Sequence, residues 1–237
     1  MKTSEIISTQ LKHVNSNSEE YFKICSPFIV LSFLNELVFN NLPEYVNIII
    51  ITITYLVTIL LIVNVHRFVI LNEKNNYYSF DHRFTVSLKY IFYSSILLII
   101  TNLPLLLAVL FMGTADGLGP NDTLFFPLMI IFWVFLLLFI ICFFIFYPRF
   151  ALNLPMVAIG EKVHFFKMWN LSKGFKKTIL LQFLIINAVY YICIIILYHL
   201  IGQNLVYYLI FSIGSVLSFA LTISCLSKTY LLWKQEN

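Results

Sequence analysis

Residues 124–147 read LFFPLMIIFWVFLLLFIICFFIFY, twenty-four positions without one charged side chain. At 1.5 Å per residue such a run reaches about 36 Å as a helix, enough to cross a hydrocarbon core of about 30 Å. A strand of a membrane barrel would instead alternate polar and apolar residues over about ten positions. This run is apolar on every side, so it reads as a transmembrane helix. The rest of the chain agrees: 60% of its 237 residues are hydrophobic, 17% aromatic and only 11% charged, against roughly half and a quarter for the first and last of these in soluble domains. The net charge of +4 is too small, in so apolar a chain, to suggest a nucleic-acid binder.

Working outward, five more runs of comparable length lie between charges, at about Ile24–Leu42, Tyr45–Leu71, Leu88–Met112, Thr178–Leu200 and Leu205–Trp233. The expected fold is an all-α polytopic transmembrane helical bundle of six spans with short amphipathic interfacial helices. It divides into an N-tail (1–23), a membrane domain (24–233) and a C-tail (234–237). The first twenty residues hold no apolar core of the 7–15 residues a cleavable signal needs, so no removed leader is expected.

The cations set the orientation. All 15 Lys and Arg fall in the N-tail, the second loop, the fourth loop (148–177) and the C-tail, while the alternate loops near Pro43, Met112–Thr123 and Gly202 have none. The positive-inside bias places both termini and the two long loops in the cytoplasm. Two cytoplasmic segments read as amphipathic: Ile7, Leu11 and Val14 at i, i+4, i+7, and Val163, Phe166 and Trp169 at i, i+3, i+6 with Lys162, Lys167 and Lys173 beside them.

Candidate chemistry is sparse. Glu36 is the one acid inside a candidate span, and an intramembrane carboxylate is a functional candidate by default. Its place about 9 Å from the outer end of its helix also suits a structural hydrogen-bonding role. With Asn64, Asn102 and Asn187 it makes a candidate intramembrane polar site. Tripeptides His66-Arg67-Phe68 and His82-Arg83-Phe84 flank the second loop. There an arginine fork can grip phosphate, or the cations simply mark helix ends. His66, Arg67, Arg83, Arg149, Lys162 and Lys167 are therefore the candidate contacts for anionic lipid headgroups.

Asn-Leu-Pro recurs at Asn41–Pro43, Asn102–Pro104 and Asn153–Pro155 without longer similarity, and at Pro104 it predicts a kink in the third span. Cys25, Cys142, Cys193 and Cys225 stand singly in apolar runs and read as buried small hydrophobes. No phosphate-cradling loop, dinucleotide turn, zinc pair or nucleophile elbow is present. No cofactor is expected, and an enzyme is disfavoured.

Val65-His66-Arg67-Phe68-Val69-Ile70-Leu71-Asn72-Glu73 resembles an aromatic-His-Arg-aromatic-x-Leu-Leu-Gly-Glu motif, with Val65 in place of the aromatic and Asn72 in place of Gly. Arg149 to Pro155 and Trp169 to Gly174 look like an Arg-x-x-Leu-x-Leu-Pro segment followed by Trp-x-x-(Ser/Thr)-(Lys/Arg)-Gly. These motifs belong to bacterial six-span membrane proteins, the YciC-like proteins, and to the membrane domain that accompanies some glycerophosphodiester phosphodiesterases. The resemblance implies a multi-pass inner-membrane fold and carries over no activity, because the metal ligands of the phosphodiesterase domain have no counterpart here. The reading expected first is a non-enzymatic scaffold or lipid-organising and lipid-sensing protein whose partner is the bilayer, anionic lipids included. A small transporter or permease with a polar cavity near Glu36 and Asn102 is the alternative.

Overall fold

The computed structural model describes residues 3–38, 43–74, 81–117, 122–163, 169–170 and 172–236. Among them the helices are α1 (Thr3–Ser16), α2 (Ser18–Val38), α3 (Glu44–Leu71), α4 (Asp81–Asp116), α5 (Phe125–Phe150), α6 (Asn153–Ala158), α7 (Lys176–Ile201) and α8 (Leu205–Glu236). The described residues form no strand. The physical reason is the solvent: hydrocarbon offers no hydrogen bonds, so each spanning segment must satisfy its own backbone.

Five of these helices, α3, α4, α5, α7 and α8, are long and apolar enough to cross a membrane. The sixth expected span coincides with α2, which is not one of the five. Its first turns carry Glu19, Glu20 and Lys23, and the apolar run Ile24–Leu42 continues into 39–42, outside the described residues. Helices α4, α5 and α8 extend beyond their apolar runs into charged or polar turns. Helix α4 also runs unbroken through Pro104. Proline has no N–H to give the carbonyl one turn back, yet Thr101 Oγ1 and Asn102 Nδ2 bond to Leu97 and Leu98 carbonyls on the same stretch, at 2.8 and 3.0 Å.

The core sits toward the cation-rich end. Tyr21, Ile24 and Cys25 of α2, Leu61, Val65 and Phe68 of α3, and Val216, Ala220 and Ile223 of α8 form one buried cluster. Tyr21 near the start of α2 meets Phe68 near the end of α3, while five residues separate the end of α2 from the start of α3, so the two helices run antiparallel. Tyr21 meets Phe68 edge to face at 5.3 Å, a geometry worth about 0.5–1.5 kcal/mol beyond its burial. Small residues of α8, Ser212, Ala220, Ser224 and Cys225, are almost fully buried and allow the close helix approach that drives packing in lipid. Helices α4 and α5 make an extensive hairpin, with Phe111 stacked on Phe135 at 5.5 Å. The outward faces of these helices are apolar and exposed, for example Val109, Trp133, Leu137, Val189 and Leu200, as a lipid-facing surface requires.

Helix α1 forms: Ile6 and Gln10 are buried, Ile7 and Val14 pack partly against the bundle, and Leu11 stays half exposed. An apolar-only pattern missed Gln10 because it is polar and finds its partner inside: Ser224 Oγ donates to Gln10 Oε1 at 2.6 Å, and the Tyr21 hydroxyl is 2.9 Å from the same Ser224. The fourth loop, in turn, does not remain at the surface throughout. Residues 151–158 fold into the bundle, where Ala151, Leu152, Val157 and Ala158 are buried and α6 packs on α3, α4 and α8. Of the amphipathic segment expected there, Phe166 and Lys167 lie outside the described residues. Cys25 and Cys225 are buried, Cys142 is half-buried, and Cys193 is exposed on α7.

Candidate functional site

Arg67, one turn before the end of α3, does not face headgroups. It is buried, with Nε donating to Glu73 Oε2 at 2.6 Å and Nη1 donating to the Ala158 carbonyl at 3.2 Å. Its fork clamps the end of α3 to its own loop and to α6. Arg149 is engaged with the chain as well: Nη1 donates to the Trp169 carbonyl at 2.8 Å, and the guanidinium lies 5.1 Å from the Trp169 ring centre. Trp169 also tilts against Phe146 and Phe150, which fixes the fourth loop to the end of α5.

Lys162 is exposed, and with Lys89 it rims a cleft of about 640 Å³ floored by Phe92, Tyr93 and Val157. Neighbouring Glu161 accepts hydrogen bonds from Lys234 and Tyr230. Burial pushes its pKa up, but those two bonds prevail and hold it below the usual carboxylate value. The side chain of Arg83, and Lys167 as a whole, lie outside the described residues.

A second, partly open space of about 430 Å³ lies between the α4–α5 hairpin and α3, α7 and α8, with Tyr55, Leu98 and Phe219 of its lining also exposed. It follows α3 from His66 to Tyr55 and α4 from Tyr90 to Asn102, about 16–18 Å along each axis at helical rise. Counted from the cation-rich end of α3, Tyr55 lies about 24 Å deep, so the space passes the middle of a 30 Å core. Its walls are mostly apolar, including Ile59, Leu97, Phe143, Phe183 and Phe219. Polar groups gather in two places. Toward the deep end are Thr58, Thr101, Asn102, Asn187 and Thr222, with Tyr55 at the limit; at the cation-rich end are His66, Tyr90 and Tyr147, with Ser94 one turn further in. The amide nitrogen of Asn102 is tied to the Leu98 carbonyl at 3.0 Å and that of Asn187 to Phe183 at 2.7 Å.

The structure thus brings Asn102 and Asn187 to one cavity. Asn64 is buried on α3 but outside its lining. Glu36 belongs to α2, and its side chain lies outside the described residues. His66, expected at a headgroup surface, is fully enclosed: its Nδ1 lies 2.7 Å from Ser227 Oγ and its Nε2 3.4 Å from the Tyr90 hydroxyl. Val63, Asn64, Val65, His66, Arg67 and Phe68 are all buried, so this end of α3 is covered on every side and the 3.6-residue pattern leaves no exposed face for His66. Sequence reasoning missed Tyr90, Tyr147 and Ser227, which read as ordinary aromatic and small span residues. Residues of small to moderate size at spacing four on α8, Ser212, Val216, Ala220 and Ser224, with Ser227 nearly one turn on, were the available signal of a buried face.

One titratable group at this end gives a pH prediction. His13 packs its ring 5.5 Å from Phe68 and 6.0 Å from Tyr21. Burial, helped by Lys228 and Lys74, lowers its pKa below the ordinary value of about 6.5. Below pH of about 6.5 the unfolded chain therefore binds a proton that the folded chain resists, so stability falls as the pH drops through that value. Glu161, with its lowered pKa, keeps its contribution until more acidic pH. The melting temperature in detergent is expected to be lower at pH 5.5 than at 7.5, with the difference reduced in His13→Leu and the remainder left to the enclosed, neutral His66. An equal drop in that variant would remove His13 as the cause.

No family model matches the chain, and comparisons with curated proteins and with solved structures find no match either.

Proposed function

We propose that this is a multi-pass membrane protein that senses or organises lipids by holding an amphiphile in the cavity between the α4–α5 hairpin and α3, α7 and α8. The observation that carries this reading is the cavity itself. Its volume is within the range of about 300–1,000 Å³ usual for ligand sites, and its walls are apolar with a few converging polar groups. The exposed cleft with Lys89 and Lys162 supports contact with anionic lipids at the cation-rich edge, where each cation near a charged leaflet gains about 1 kcal/mol.

A small transporter is the second reading, favoured by the depth at which Asn102 and Asn187 line the cavity. Against it, the described lining offers none of the facing ionisable pairs that proton-coupled transport uses. In this proposal α2 is the sixth span, both termini are cytoplasmic, and the host membrane is a bacterial inner membrane. Asn72 stands where the YciC-like motif has Gly. It caps α3 with φ of 54°, a left-handed conformation for which Gly is the usual residue and Asn the common substitute.

Native mass spectrometry of the purified protein tests the reading. Wild type is expected to retain a co-purified amphiphile, and Thr58→Phe, which fills the cavity from α3, to abolish that retention while the protein still folds, its melting temperature falling by no more than the loss of the bound amphiphile accounts for. Lys89→Gln with Lys162→Gln is expected to leave retention intact and to reduce only the preference for anionic over zwitterionic lipid. Equal retention by wild type and Thr58→Phe would remove the cavity from the mechanism.

A further inference from the structure

The cavity's ligand can be narrowed by what its walls lack and by the polar chain at its end. We infer that it takes an uncharged amphiphile: one apolar chain or ring system carrying a hydroxyl, ester or amide head, with the head bound at Tyr90 and His66. This rests on the reading of the cavity as an amphiphile site and specifies its chemistry.

Charge comes first. Among the described residues lining the cavity there is no Lys, Arg, Asp or Glu. A phosphate or carboxylate carried there would be a buried ion without a counter-ion, a penalty of several kcal/mol. The two arginines nearest this end by sequence are committed elsewhere, Arg67 to Glu73 and Ala158, and Arg149 to Trp169. Anionic lipids are therefore matched by the outer cleft and not by the cavity.

Hydrogen bonding comes second. Ser227 has one hydroxyl hydrogen and two acceptors within reach, the Ile223 carbonyl at 2.9 Å and His66 Nδ1 at 2.7 Å. When that hydrogen goes to Ile223, His66 carries its proton on Nδ1, and its bare Nε2 accepts from Tyr90. The Tyr90 oxygen then has only lone pairs to offer a ligand. When the hydrogen goes to His66, the imidazole proton is on Nε2 and points to Tyr90, whose own hydrogen is then released for the ligand. Both arrangements keep every group neutral and satisfied. The end of the cavity consequently presents an acceptor or a donor as needed, which fits a hydroxyl in either state and an ester or amide carbonyl in the second.

Shape comes third. The space is about 16–18 Å along the helix axes, with the His66–Tyr90 pair at the cation-rich edge, phenylalanines along its length, and Thr58, Thr101, Asn102 and Asn187 toward the deep end, where the Asn102 and Asn187 amide nitrogens are already tied to backbone carbonyls. An amphiphile entering from that leaflet would place its head at His66 and Tyr90 and its apolar body toward Phe219 and Asn187.

The test uses the full chain in detergent with a diazirine-bearing hexadecanol as the probe, its crosslinks mapped by mass spectrometry and its binding competed by hexadecanol, monopalmitoylglycerol and hexadecyl phosphate. Crosslinks are expected on cavity-lining residues of α3, α4 and α7. The two uncharged competitors should displace the probe, and the phosphate should be more than about tenfold weaker. Tyr90→Phe, which keeps the ring and removes only the hydroxyl, should weaken hexadecanol by about fivefold, the worth of one hydrogen bond. Hexadecyl phosphate competing as well as hexadecanol, or an unchanged affinity in Tyr90→Phe, would overturn the uncharged-head assignment while leaving the cavity as an amphiphile site. Absence of any saturable crosslink in the cavity would overturn both.

Discussion

Arg67→Ala is expected to cost about 3 kcal/mol of stability, the usual loss when one partner of a largely buried ion pair is removed. The side chain of Arg67 is 9% exposed and that of Glu73 31%. Removing the guanidinium takes away the Arg67–Glu73 ion pair and the Nη1 hydrogen bond to the Ala158 carbonyl, at the point where α3, its following loop and α6 meet. Arg67→Lys should recover less than half of the loss, because an ammonium on a flexible stem cannot reproduce a fork held by two acceptors in different directions. Glu73→Gln should cost less than Arg67→Ala, since Arg67 keeps the Ala158 bond and a neutral acceptor. Unfolding midpoints in mixed micelles measure all three. A loss well below about 1 kcal/mol in Arg67→Ala would place the pair with ordinary surface salt bridges and return Arg67 to the role of an orientation signal.

How much of this was legible follows from the range over which each signal acts. The spanning helices could be read because hydrophobic length is a local property: the run Leu124–Tyr147 needs no neighbour to declare itself, and α5 begins at Phe125. The turn at Gly202 was equally local, with Gly202 at φ 67° and Asn204 Oδ1 accepting from the Tyr207 N–H at 2.9 Å. Side-chain roles depended on distant partners. Ser227 lies 161 positions from His66 and Ser224 lies 214 from Gln10, and no periodicity within one helix announces such a pair. Asn102 and Asn187 were legible as polar residues in apolar runs, but that they share a cavity is a consequence of how α4 and α7 pack. The burial of residues 151–158 was hidden because a short apolar stretch between cations reads the same at an interface as inside a bundle.

Accessibility labelling is expected to place residues 1–16 and the C-terminal turn of α8 on one side of the membrane and residues 113–117 on the other. The outcome is all-or-none and follows from contacts as well as from charge. Tyr21 and Phe68 touch, so the start of α2 is level with the end of α3. Ile6 of α1 belongs to one cluster with Cys225, and Leu232 packs against it, so the N-terminal helix sits beside the last turns of α8. If the five apolar helices alternate across the bilayer, α3 and α8 end on the same side, and that side already carries every cation of the sequence. With α3 starting on the opposite side and five residues between Val38 and Glu44, that arrangement would have α2 carry the chain across, as proposed. Its 21 residues reach about 31 Å. In a background where Cys25, Cys142, Cys193 and Cys225 are replaced by Ala or Ser, a cysteine at Thr9 and one at Gln235 should react with the same membrane-impermeant reagent only after the cytoplasmic side is opened. A cysteine at Thr114 should react in intact cells. Opposite behaviour of the two ends would make α2 an interfacial helix and the membrane domain a five-span one.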